Sequence, residues 1–357
     1  MNLQYNYYRD NNIHAVEYEN NLKSSLLHNT QRTNLIQSQL GVPLSLFKNS
    51  KILEFGPNSG ENSFIYFLQG AEIHFVEPNL DMHERIQRLY NNSNKINITS
   101  EFIEEFISNI KYDFVIAEGF LHAISNRLDI VKKMFTFSKS LVLITYSDKY
   151  GYFFESIKRF IYSRIVKMNK NNVDFNYEEK FALAEKLFKN DFDKLNSTRK
   201  FESWYLDIIC NPVQKSSTLD TFIDYYKIAN EYDFEIISMS PNWDIRNNYK
   251  WFKSISDQRL DDLYFKNINF IIGGDIDWSN DFNTITSLTN YFLDYSSSID
   301  DFKCPIIPAL TIENDIININ NLLEMNEIDL VNYYLETKIF RNWGMPQHHI
   351  LFQSKTV

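Results

Sequence analysis

The stretch Leu53-Glu54-Phe55-Gly56-Pro57-Asn58-Ser59-Gly60-Glu61-Asn62 decides how the rest of the chain reads. A short apolar strand, Lys51 to Phe55, runs into a glycine-bearing turn, and a helix to about Leu68 follows at once, closed by Gly70. Gly56 lets the backbone approach a ligand closely, and Asn58 is the non-glycine type best suited to a left-handed conformation. Gly60 opens the helix, whose first N–H groups and partial positive charge suit an anionic group. Ile73 to Val76 is a second strand that ends at Glu77, 17 residues beyond Gly60. A carboxylate in that place accepts hydrogen bonds from both hydroxyls of a ribose. Together these residues call for a ligand that contains a nucleoside.

Working outward, residues 13 to 47 read as helices punctuated by Gly41 and Pro43. Downstream, strands are expected at 96–98, 112–116, 141–145 and 234–239, with a last one at 349–352, and helical patterns lie between them. Alternating strands and helices imply an α/β fold, a parallel sheet with helices on both faces. Tyr152 to about Phe201 is helical and rich in Lys and Phe, and 281–293 and 327–339 are helical stretches; 269–272 reads as either a strand or a buried helix. The expected organisation is N-terminal helices over 1–47, a cofactor-binding core over 48–150, a helical cap over 151–232, and the end of the sheet over 233–357 with a long insertion at about 245–342.

Composition narrows the classes. The 357 residues carry 36 Lys and Arg against 46 Asp and Glu, a net charge of −10. An acidic chain lacks the positive footprint of general nucleic-acid binding. No run approaches the ~20 apolar residues of a membrane span. The N-terminal stretch is polar and mixed in charge, unlike a signal peptide. Cys210 and Cys304 are too few for a disulfide framework or a thiolate metal cluster, and a cytoplasmic protein is the expectation. Glycine is scarce: 9 are present, where average usage would give about 25. Five of them (Gly56, Gly60, Gly70, Gly119, Gly151) fall between 56 and 151.

Three cofactors compete for the glycine turn. A phosphate-binding loop of the G-x-x-x-x-G-K-[ST] type is set aside, because the glycines are one residue too close and no Lys follows. The dinucleotide triplet G-x-G-x-x-G is incomplete, which weakens NAD or FAD. S-adenosylmethionine carries a small carboxylate and amino group in place of a pyrophosphate and needs a shorter cradle.

At this point the residues resemble the class I S-adenosylmethionine-dependent methyltransferases. Their first motif, an acidic residue followed by glycines at alternate positions, is matched by Glu54, Gly56 and Gly60, with Asn58 in place of the middle glycine. The resemblance implies a doubly wound, mostly parallel seven-stranded sheet (a Rossmann-like methyltransferase fold), with a helical cap or lid from the insertions. It implies that Glu54 and the Gly56-Pro57-Asn58-Ser59-Gly60 backbone hold the methionine portion of the cofactor. Glu77 would hold the ribose, Pro78 the border of the adenine, and Phe102 and Ile103 the adenine loop. Glu118, at the end of Tyr112-Asp113-Phe114-Val115-Ile116-Ala117-Glu118-Gly119, would lie under the sulfonium. The resemblance covers 48–150 well and reaches weakly to 204–241, where Trp204, Asp207 and Asn211-Pro212 precede a helix and the sixth strand.

Ligands of parallel α/β sheets bind at the carboxyl ends of the strands. The connection from about Pro241 to Gln347 exceeds 100 residues, and an insertion of that length reads as a substrate cap. Substrate-facing candidates lie at strand ends: Glu118 and His122, Asp148, Asn242-Trp243-Asp244, and His348-His349, of which alternation lets only one face the cleft. If the acceptor is a hydroxyl, a general base helps, and His is the usual one. His122 is favoured, with His348 or His349 next; Asp148 is read as either a catalytic group or a helix cap. No metal is expected, for want of a compact carboxylate cluster. The Ala117-Glu118-Gly119-Phe120 sequence lacks the proline motifs of base-modifying methyltransferases, which leaves a small-molecule acceptor, on an analogy a sugar or nucleotide-sugar. No nucleic-acid or membrane partner is expected, and a homodimer is left open. Two other readings stand beside this one: a catalytically silent nucleoside-binding module, and a nicotinamide-dependent oxidoreductase.

Overall fold

The computed structural model describes residues 3–11, 13, 22–170, 175–242, 260–273, 277–278, 280–298, 306–312 and 315–355. Trp243 and Asp244, two of the sequence candidates, lie outside them, as does Cys304. The strands in chain order are β1 Lys51–Phe55, β2 Glu72–Val76, β3 Ile96–Thr99, β4 Tyr112–Ala117, β5 Ser138–Ser147, β6 Phe234–Ser240, β7 Leu310–Ile312, β8 Asp315–Ile317 and β9 Gln347–Ser354. Seven form one sheet in the order β3-β2-β1-β4-β5-β9-β6, and β7 and β8 pair by themselves. The pairs β1–β2, β1–β4, β2–β3 and β4–β5 are parallel, and β6–β9 is antiparallel. This is the doubly wound, mostly parallel seven-stranded sheet expected, with helical insertions.

The central strands are apolar on both faces. Residues 52–55 of β1 and 114–117 of β4 are buried throughout, which is how strands covered by helices on each side read. Ile52, Phe75, Phe114 and Leu143 belong to one core cluster, into which Ile36 and Leu40 pack from the segment after the Leu22–Thr33 helix. β5 starts at Ser138, three residues earlier than its apolar run, because the Arg127–Phe137 helix runs straight into it. Asn269–Ile272 falls inside a buried helix, Ile268–Ile272.

The chain divides into two compact units. The first comprises 1–146, 220–266 and 347–357, and the second comprises 147–219 and 267–346. The second unit is helical apart from the β7–β8 hairpin among its described residues. Its long helix, Phe153–Met168, buries Phe153, Phe154, Ile157, Phe160, Ile161 and Ile165 at helical spacing. Phe160 meets Phe292 and Tyr295 of the Phe282–Ser297 helix at 4.7 and 4.9 Å between ring centroids. Arg159, 1% exposed, donates to the carbonyls of Ile208 and Asn211, so a buried cation is satisfied by backbone oxygens. Gly151 marks a crossing of two backbones in this unit: a Cβ there would lie 2.0 Å from the carbonyl oxygen of Met345. Only glycine permits that approach.

No helix among the described residues is long and apolar enough to cross a membrane.

Candidate active site

The carboxyl ends of β1, β2 and β4 place the glycine turn, Glu77 and Glu118 along one edge of the first unit. The turn has the backbone its residues favour. Gly56, Asn58 and Gly60 all have positive φ, at 60°, 54° and 83°. The Gly60 carbonyl accepts from the Tyr90 hydroxyl at 2.7 Å, and the Asn58 side-chain amide donates to the Ile13 carbonyl at 3.2 Å. At Gly56 a Cβ would meet the Phe120 ring at 2.7 and 2.9 Å, so the missing side chain is what lets that ring pack on the turn. The helix after the turn opens with a single 3-10 turn, Glu61–Ser63, and continues as a five-residue α-helix, Phe64–Leu68. Its short ladder gives little macrodipole, and within the turn the Gly56, Asn58 and Gly60 N–H groups donate to the Val76 carbonyl, the Glu77 carboxylate and the Pro57 carbonyl.

Glu77 is 6% exposed. Its Oε2 accepts from the Asn58 N–H at 3.0 Å and its Oε1 from the Asn79 N–H at 2.9 Å. One carboxylate thus ties the glycine turn to the start of the Leu80–Leu89 helix. A carboxylate offers about four acceptor positions, and two remain for a diol. Burial pushes its pKa up to about 7, against the lowering effect of those two backbone bonds. The backbone carbonyl of Glu77 accepts from His83 Nε2 at 2.7 Å.

Glu54 and Glu118 sit at neighbouring strand ends and differ in ionisation. Glu54, 2% exposed, accepts from the Ser63 hydroxyl. Burial raises its pKa to about 8; the Ser63 bond works against this and the charge of Glu118 adds to it. Burial also favours the neutral form of Glu118, but Arg32 overrides it and holds this carboxyl well below the usual range. Arg32 Nη1 and Nη2 reach the two Glu118 oxygens at 2.8 and 2.7 Å, and Nη2 also donates to the Tyr66 hydroxyl at 3.2 Å. His349 Nε2 lies 3.3 Å from Glu118 Oε1. A carboxylate held ionised accepts only, so that nitrogen carries the proton and Nδ1 is the basic one.

The other sequence candidates fall into separate settings. His348 is 2% exposed and its Nδ1 is 3.0 Å from the Tyr146 hydroxyl. Neighbouring strand residues face opposite sides, so of the two histidines His349 is the one at Glu118. His122, 9% exposed, sits in a single 3-10 turn, Leu121–Ala123. Asp148 is fully buried in the second unit, where its Oδ1 accepts from the N–H groups of Tyr150 and Gly151 at 3.0 Å each. Those bonds close a turn ahead of the Phe153–Met168 helix, whose own N-cap, Tyr152, makes no side-chain cap bond. Pro57 is buried and Pro78 half-buried beside Glu77. Phe102 meets Tyr5 edge-on at 5.7 Å, and the carbonyl of buried Ile103 accepts from Lys133 at 2.9 Å. Asp207 and Trp204 belong to the second unit, paired with Arg199 at 2.7 Å and packed on Trp343 respectively. Asn242 closes the described part of the chain after β6. Arg32 and Tyr66 escape a sequence reading, because neither stands in a local motif and both lie far in sequence from Glu118; Ser63 and Phe120 lie close to Glu54 and Glu118 but carry no signal of their own there.

These residues fit a nucleoside bearing a small amino-acid group. Glu77 keeps acceptor capacity beside a left-handed turn, and the buried Nε of Arg32 has no hydrogen-bond partner among the described residues. Among those residues no group of three His, Cys, Asp or Glu is placed to hold a metal.

A family model described as a methyltransferase domain matches residues 26–239, 60% of the chain. No curated protein matches. Among solved structures the chain is similar to PKMT2 from Rickettsia typhi, at 10% identity over 94% of this chain and 54% of that one, TM-score 0.47. It thus spans about half the length of that protein. It is also similar to magnesium protoporphyrin IX methyltransferase from Synechocystis PCC 6803 with bound S-adenosylhomocysteine, at 10% identity over 66% and 86% of the two chains, TM-score 0.38. A third is the N-methyltransferase NodS from Bradyrhizobium japonicum, at 13% identity over 42% and 75%, TM-score 0.32. With the seven-stranded sheet formed and well over half of its length matched, the chain belongs to the methyltransferase domain family.

Proposed function

We propose that the enzyme methylates a hydroxyl or amino group of a small molecule, with His349 as the general base and Glu118 as the group that orients it. The observation that carries this reading is the 3.3 Å approach of His349 Nε2 to a Glu118 carboxylate that Arg32 keeps ionised. The cofactor supplies an electrophilic methyl group on a sulfonium. The chain's own part is positional: the turn from Gly56 to Gly60 and the Glu77 carboxylate hold the nucleoside and its amino-acid end. Such alignment of reactants contributes most of the rate in a displacement of this kind. With Nε2–H directed at Glu118, His349 Nδ1 takes the proton that the acceptor loses, and the carboxylate stabilises the imidazolium that results.

His122 is the next base in line, on its position one turn beyond the end of β4, and His348 and Asp148 follow. The second unit's chain is entered after β5 and left just before β9, the strand that bears His349.

The test is methyl transfer from labelled S-adenosylmethionine across a panel of small hydroxyl and amino compounds. His349→Ala should lower kcat by ~100-fold or more on any acceptor found, the usual reach of a positioned base, with little change in S-adenosylhomocysteine affinity. Glu118→Gln should also lower kcat, because a neutral amide no longer holds the His349 ring through a charge-assisted bond. A His349→Ala enzyme with a wild-type kcat would refute the assignment.

A further inference from the structure

We infer that the second unit carries an anion-recognising site at the foot of the Phe153–Met168 helix, suited to a phosphorylated small molecule with an apolar portion. A cavity of about 310 Å³ opens there, at the lower end of the volumes that hold small ligands. Lys167, Lys170 and Lys180 line it, and among the described residues no carboxylate does. In a chain of net charge −10, three cations around one cavity are a local reversal of sign, and a concave surface focuses that field.

The three ammonium groups are not equivalent. Lys167 is fixed: its Nζ donates to the Tyr295 carbonyl at 2.6 Å and to the Ser298 hydroxyl at 3.3 Å, and lies 3.8 Å from the centre of the Tyr295 ring. It completes the last turn of the Phe282–Ser297 helix, a common use of a lysine near a helix C-terminus. Lys170 and Lys180 have no such task. Neither ammonium donates to a protein acceptor among the described residues, and Lys180 lies over the Phe175 ring at 6.0 Å. Among the described residues, the Glu327 carboxylate accepts from the Asn169 amide, which also borders the cavity, at 2.8 Å. Two uncommitted cations beside a third fixed one match a dianionic phosphate monoester better than a single carboxylate. Phe175 and Val166 supply an apolar wall for the rest of the ligand, and the Ser163 hydroxyl a further polar contact.

The test uses the whole 357-residue chain saturated with S-adenosylhomocysteine, so that the methyltransferase site is occupied. Calorimetric titration with phenyl phosphate should give saturable binding that weakens as salt rises. The variant K170Q/K180Q should bind phenyl phosphate ~10-fold or more weakly, the scale of two lost charge-assisted bonds, while its S-adenosylhomocysteine affinity stays at the wild-type value. Benzyl alcohol should not saturate the site. Phenyl phosphate binding that is absent in the wild type, or equal in K170Q/K180Q, overturns the site. Inorganic phosphate binding as tightly as phenyl phosphate overturns the apolar half of the ligand assignment. Because the readout is binding in the second unit, its failure leaves the His349 proposal untouched.

Discussion

Arg32 and Glu118 stand 86 residues apart in sequence and meet in a two-pronged ion pair whose side chains are only 7% and 3% exposed. Breaking such a pair from one side strands a charge in a dry environment, which typically costs about 3–5 kcal/mol. Arg32→Met should therefore lower the unfolding free energy in urea by that order. Arg32→Met with Glu118→Gln should recover part of the loss, since no carboxylate is then left unpaired. A double variant as unstable as the single one would mean the loss is packing and not charge.

Glu77→Ala should weaken S-adenosylhomocysteine binding by ~10-fold or more, because hydrogen bonds to a charged acceptor are worth about 1.5–3 kcal/mol each. Calorimetric titration reads this directly. Circular dichroism should show the sheet intact, since the two backbone donors released, Asn58 N–H and Asn79 N–H, lie at a turn and a helix start. Undiminished affinity would remove Glu77 from the cofactor site.

Glu54 makes a pH prediction. Burial lifts its pKa to about 8 from an ordinary 4.5. Between those values the folded chain holds a proton that the unfolded chain has released, so stability is full below about 4.5 and declines as pH rises towards 8. Glu77, raised to about 7, adds a slope of the same sign over an overlapping window. Glu54→Gln should flatten the decline between pH 5 and 8, measured by urea unfolding of the ligand-free enzyme, and leave the Glu77 part. A variant whose slope equals the wild type's would contradict the buried neutral carboxyl.

Gly56→Ala should destabilise the fold by about 1–3 kcal/mol and weaken the cofactor product as well. Two effects add: an L side chain at φ 60°, and a Cβ within 2.7 Å of the Phe120 ring. Adding Phe120→Ala should relieve the second and leave the first, so a partial rescue of the thermal midpoint is expected. Complete rescue, or none, would show that only one of the two operates.

The legible parts of this enzyme are those whose chemistry is local. Gly56, Asn58 and Gly60 announce a left-handed turn because few residues adopt one, and Glu77 follows at the end of the next strand. The apolar runs of β1, β4 and β5 read correctly because they are buried on both faces. Arg32 does not announce itself: on the Leu22–Thr33 helix it is one cation among polar neighbours, and only the folded chain brings it to Glu118. The choice between His348 and His349 is likewise invisible in sequence, since alternation says that they part and not which way. Gly151 sits in the glycine-bearing half of the chain, yet its reason is a backbone crossing with Met345, a contact nearly two hundred residues distant in sequence.

The position of β9 has a consequence for biosynthesis. It lies between β5 and β6, so β6 has no neighbour in the sheet until residues 347–354 have left the ribosome. The nascent chain must carry β6 and the whole of the second unit with one side of the sheet unfinished. Until then β6, like the facing edge of β5, stays open to chaperones and to premature strand pairing.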